Sequence, residues 1–75
     1  MTTLEVALRE VVEDLLRQQA ERSLADPTCF ETHSVQGQPR GLRLMGLPVE
    51  VNDEVPLDEI WLRDANDFVF RGKVP

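Results

Sequence analysis

Leu4, Leu8, Val12, Leu16, Ala20 and Leu24 recur every four residues, and Ala7, Val11 and Leu15 fill the positions beside them. A stripe of this kind marks a helix with one apolar side, wide enough to lie on a sheet or on a second helix. Thr2 and Glu5 have the spacing of a capping box, and Met1 with Val6 the spacing of a hydrophobic staple around it. Glu5, Arg9, Glu13, Arg17 and Glu21 alternate in sign every four residues, and each such pair adds a few tenths of a kcal/mol. Pro27 ends the run, since the residue before a proline is pushed toward an extended conformation. The pattern therefore predicts one long helix over about residues 3–25, about 33 Å from end to end.

The remainder is short, turn-rich and acidic. Residues 28–35 have strand character with poor alternation: Phe30, Thr32 and Ser34 on one side, Cys29, Glu31, His33 and Val35 on the other. This predicts an edge strand over about 29–35. Gln36 to Gly41 is a loop by composition; it lacks the order of a phosphate-binding loop and any helix after it. Residues 42–51 are the best strand candidate. Leu42 and Leu44 share one parity, Leu47, Val49 and Val51 the other, so a bulge or kink near Met45-Gly46 is expected. Pro48 places the second half at an edge or beside a break. Strands at about 59–63 and 68–71 flank Asp64-Ala65-Asn66-Asp67, the tightest turn signal present, and read as a hairpin. The expected architecture is α+β: one long N-terminal amphipathic helix packed on a small antiparallel sheet of three or four strands.

A chain of 75 residues reads as one domain, residues 1–75, and buries only roughly 60% of its unfolded surface. Cys29 is the one cysteine and His33 the one histidine, which leaves neither a disulfide framework nor a zinc cluster to help. No cofactor or metal is expected. The lone thiol fits a reducing compartment. No apolar run reaches the ~20 residues of a membrane span, and the N-terminus has no basic region followed by an apolar block. These features predict a soluble, cytoplasmic protein. The helix has more apolar length than four short strands can cover, so support from a second copy is expected. Leu8, Val11, Leu15, Gln18 and Arg22 are the candidate homodimer interface.

Formal net charge is −6, which argues against direct binding to nucleic acid. Between Glu50 and Asp67 lie seven acids, Glu50, Asp53, Glu54, Asp58, Glu59, Asp64 and Asp67, with Arg63 the one base. Two readings are open. Turns favour Asp, and edges favour charge against aggregation, so the segment serves solubility. Alternatively it is an acidic recognition surface that two turns present to a basic protein partner. Metal and catalytic readings are weaker. An EF-hand beginning at Asp64 would need Gly where Val69 stands and Glu where Pro75 stands. No nucleophile has a base and an orienter at a recognisable spacing, and paired carboxylates need a cleft for acid–base work. The chain is therefore read as no enzyme. Trp61 has two registers open: outside, opposite Ile60 and Leu62, as a hot-spot anchor for a partner, or inside, as core.

Gly46-Leu47-Pro48-Val49-Glu50-Val51, followed by acids, Pro56 and Ile60-Trp61-Leu62, resembles a pattern of short bacteriophage-encoded proteins, in which a G-x-P-V strand leads through an acidic turn and a proline to another strand. It covers about a fifth of the chain and transfers no functional residue. The resemblance implies a small accessory protein of a phage or mobile element, of the kind that blocks a host machine or serves in the particle. Together these features predict a non-enzymatic acidic interaction protein that binds and inhibits a host complex, such as a nucleic-acid-handling or CRISPR-type defence machine. The alternative is a virion structural or assembly subunit that self-associates through its helix. A DNA-binding antitoxin or regulator is disfavoured, because no basic reading helix is present.

Overall fold

A computed structural model of the chain describes residues 3–33 and 43–74, with side chains in the helix from Arg9 onward. The expected Thr2–Glu5 cap, the Met1–Val6 staple, the strand end at Ser34 and Val35, the 36–41 loop and Leu42 lie outside the described residues or side chains. Leu4, Ala7 and Leu8 do so as well.

The elements are α1 (Thr3–Arg22), β1 (Pro27–Thr32), β2 (Arg43–Leu44), β3 (Leu47–Val51), β4 (Glu59–Asp64) and β5 (Val69–Lys73). One helix and a five-stranded sheet make the fold α+β. The strands lie in the order β2-β3-β1-β4-β5. The expected sheet of three or four antiparallel strands is corrected on both counts: among the described residues there are five, and β1 pairs with β3 in parallel, Phe30 opposite Val49 and Thr32 opposite Val51. β1 pairs antiparallel with β4, β2 with β3, and β4 with β5.

The largest correction concerns β1. It is the central strand rather than an edge, and Cys29, Phe30, Glu31 and Thr32 are all buried. Its poor alternation has a physical origin. One side, led by Phe30, joins the apolar core, while the other buries polar groups that satisfy each other. The expected strand 42–51 is two strands. Met45 (φ 51°) and Gly46 (φ 84°) both stand in the left-handed region, as a primed two-residue hairpin turn requires. The change of parity is thus a chain reversal, which brings Leu44 opposite Leu47 on the core side. The β4–β5 hairpin lies where expected, with Leu62 opposite Phe70.

The helix ends at Arg22, three residues before the expected end, and spans 20 residues. Ser23 N closes the last turn on Gln19 O at 2.9 Å. The buried Gln19 amide then donates to Ala25 O, and Ala25 N donates to the Ser23 hydroxyl at 3.1 Å. These bonds stop the helix, and Pro27 instead opens β1. Val12 and Leu15 form the buried helix face, with Val11 and Leu16 at its margins. The every-fourth-residue stripe departs from that face, since each step of four advances about 40° beyond a full turn. Leu16 is half-buried, Ala20 exposed, and Leu24 fully exposed. Of the charge ladder, Arg9 pairs with Glu13 at 3.3 Å, whereas Arg17 turns to Asp14 at 3.6 Å.

The core closes around Phe30, with Val12, Leu15, Leu44, Ile60, Leu62 and Phe70. A β-carbon on Gly72 of β5 would stand 2.7 Å from Val11 Cγ1 and 3.3 Å from both Leu15 methyls. That glycine lets the helix settle on the β5 side of the sheet. Among the described residues, no helix lies on the other side.

Candidate protein-interaction surface

β4 alternates strictly, with Ile60, Leu62 and Asp64 buried and Glu59, Trp61 and Arg63 half-buried on the helix-free side. The inside register for Trp61 is thereby excluded. Across the open side the strand register places Glu50, Glu31, Trp61 and Arg71 in one row. Trp61 donates from Nε1 to Glu59 Oε1 at 3.0 Å, and the Arg71 guanidinium lies 4.8 Å from the ring centroid. The indole is thus held in a fixed pose, part-covered by charge.

Glu31 is the buried hub of that row. Its carboxylate accepts from Arg63 Nε, from Arg63 Nη2 at 3.3 Å and from Asn52 Nδ2 at 2.7 Å. The Arg63 hydrogen bond holds the carboxyl below its usual value against the effect of burial, and Asn52 adds to it. The guanidinium is pushed up in return. Cys29 Sγ lies 3.7 Å from Glu50 Oε2; burial first, then the Glu50 charge, pushes the thiol up. A thiol so placed is protonated at neutral pH and a poor nucleophile.

The acidic loop after β3 is organised by Asn52. Its N–H donates to Thr32 O at 2.8 Å, its carbonyl accepts from Val55 N at 3.0 Å, and its side-chain oxygen accepts from Glu54 N at 3.0 Å. Val55 is fully buried and acts as the loop's plug, and His33 Nδ1 donates to its carbonyl at 3.0 Å. Glu59 N donates to Pro56 O, and Val74 N to Asp58 O at 2.7 Å. So pinned, the loop turns Asp53, Glu54 and Asp58 outward around Leu57, which is 77% exposed. Lys73 reaches Asp58 at 3.7 Å, an exposed pair of small energetic weight.

The seven acids do not form one surface. Glu50, Asp53, Glu54, Asp58 and Glu59 gather where β3 ends and β4 begins. Asp64 and Asp67 lie at the other end of β4, roughly 17 Å away at ~3.3 Å per residue. Asp64 is buried, and Oδ1 accepts from Asn66 N at 2.9 Å and Phe68 N at 3.0 Å. It builds the turn and is withdrawn from the acidic surface at the other end of the strand. Asp67, in the left-handed region at φ 61°, is exposed and lies 3.7 Å from Arg63.

The candidate dimer residues also divide. Leu15 is completely buried against the chain's own sheet, which removes it from an interface, and Val11 packs beside it. Gln18 is half-buried and donates to Asp14 at 2.7 Å, and Arg22 is exposed. Sequence reasoning missed Glu31, Asn52, His33 and Leu57. Asn52 directly after β3 and before Asp53-Glu54 carries the signal of an Asx turn. Glu31 carried none, because its partner Arg63 lies 32 residues on. Among the described residues no group of three or more His, Cys, Asp or Glu is disposed to hold a metal ion, and no helix is long and apolar enough to cross a membrane.

No family model, curated protein or solved structure matches this chain.

Proposed function

We propose that this protein is a non-enzymatic interaction protein that engages a basic surface of another protein through the end of the sheet formed by Glu50, Asp53, Glu54, Asp58, Glu59 and Trp61. The observation that carries the reading is the 52–58 loop. A loop serving solubility alone does not need a buried plug, an asparagine that uses all four of its polar groups and a histidine tie. Here these hold three outward acids around one exposed leucine, next to an oriented indole. Rigid presentation lowers the ordering cost of binding, and an apolar centre with a charged rim is the usual anatomy of a protein interface. A partner surface basic enough to match is typically one that handles nucleic acid, so occupancy would exclude the nucleic acid and inhibit the partner. An inhibitor of a host nucleic-acid-handling complex, as the phage-like strand pattern implies, fits this chemistry.

The test is capture from a nuclease-treated bacterial lysate at low and high salt, with the wild type beside a D53K/E54K/D58K variant. All three side chains are exposed, so circular dichroism and melting temperature should stay unchanged while a salt-sensitive basic partner is lost. Equal recovery by the variant would end the proposal.

A further inference from the structure

At the opposite end of the sheet a cleft of about 470 Å³ opens between the end of α1 and the β4–β5 turn. Phe70 and Asp64, both buried, form its floor. Leu24 and Phe68, 107% and 56% exposed, form its rim, and the Phe68 and Phe70 rings tilt together with centroids 4.8 Å apart. The walls are therefore apolar while the floor is anionic. Asp64 Oδ1 is occupied by the turn, but Oδ2 is buried without a hydrogen-bond partner. The Ser23 hydroxyl lies beside the carboxyl without reaching hydrogen-bond geometry to Oδ2, and with the two turn amides it holds the group below its usual value. Asp67 stands on the rim, and the negative end of the α1 dipole borders the cleft. Arg22 also lines it, yet does not pair with Asp64.

We propose that this cleft binds an arginine side chain of a peptide segment. The stem lies along Leu24, Phe68 and Phe70. The guanidinium takes the place of the Ser23 hydroxyl beside Asp64 Oδ2 and meets Asp67 at the rim. A planar cation on an apolar stem matches both halves of the cleft, and a carboxylate with a free lone pair is its ordinary partner. The site is remote from the acidic loop and does not rest on the function proposed for it.

The test is a titration of the full-length ¹⁵N-labelled chain with N-acetyl-arginine methylamide, and with the citrulline analogue as a neutral control of the same shape. Saturable amide shifts at residues 23–25 and 64–68 are expected with arginine, with citrulline weaker by about fivefold or more. Asp64→Asn keeps an oxygen to accept from Asn66 and Phe68, and should lose the same preference with the turn resonances in place. Phe68→Ser, which leaves the backbone N–H and carbonyl that bond Asp64 in place, should weaken binding and covers the case in which D64N fails to fold. Arg22→Ala removes a repulsive charge and should tighten it. Absence of saturable shifts, equal response to citrulline, or weakening by R22A would each overturn the proposal, the last by marking an anion site.

Discussion

Met45 carries a side chain through a left-handed turn position, φ 51°, with half of its surface in water. An L-residue there costs about 1–2 kcal/mol relative to glycine, and asparagine tolerates the conformation best among the others. Met45→Asn should therefore raise stability by about 1 kcal/mol, read as a higher melting temperature with unchanged denaturant slope. A lower melting temperature would mean that Met45 packs in a way its exposure does not reveal. Glu31 sets a second expectation, in pH. Its folded-state pKa lies below the ordinary 4.5, so its contribution is complete above that value and is lost as pH falls through the folded value. Glu31→Gln abolishes this dependence. The melting temperature of the variant should fall less steeply than that of the wild type below pH 4.5, and parallel curves would show that Glu31 is not linked to folding. The break at Met45-Gly46 was legible from the change of parity, but not its form as a hairpin turn, and the role of Glu31 was not legible at all. Met-Gly is not among the dipeptides that announce a hairpin, and nothing local to Glu31 announces an arginine 32 residues away.

Elements were legible where local pattern and tertiary environment agree. The β4–β5 hairpin follows from alternation around a strong turn, and Trp61 falls on the open side as the outside register expected. The helix was legible as an element and misplaced as a surface. Its most regular stripe diverges from the buried face, because burial follows Val12, Leu15 and Gln19 around the cylinder. β1 failed for the opposite reason. Residue type alone cannot show that a strand containing Glu31 is central, since what allows its burial comes from Arg63 of β4 and from Asn52 just after β3. How closely helix and sheet approach is likewise set by one side chain that is missing. Gly72→Ala should push Val11 and Leu15 back and cost about 1–3 kcal/mol, measured by denaturant unfolding. A neutral result would mean that Val11 changes rotamer freely and that α1 is less tightly held than its burial implies.

For the whole molecule, the acidic segment was legible as composition but not as geometry. One strand, β4, carries its two halves to opposite ends of the sheet, and one acid, Asp64, goes inside. The chain therefore has two chemically different poles: a rigid acidic loop around an exposed leucine, and a cleft with a buried carboxylate beneath aromatic walls. The centrality of β1 has a consequence in time. During synthesis β1 is among the first strands to emerge, yet both of its neighbours, β3 and β4, emerge after it. The nascent half-chain holds Glu31 without its ionic partner and Phe30 with only Val12 and Leu15 of its buried core neighbours, and closing such distant pairings is slow. A fragment ending at Asp58 should be digested rapidly by protease and lack a cooperative melt, while the full chain resists; a folded fragment would mean that α1, β1 and β3 suffice. Until β4 has left the ribosome, the centre of this sheet exists only as an open strand.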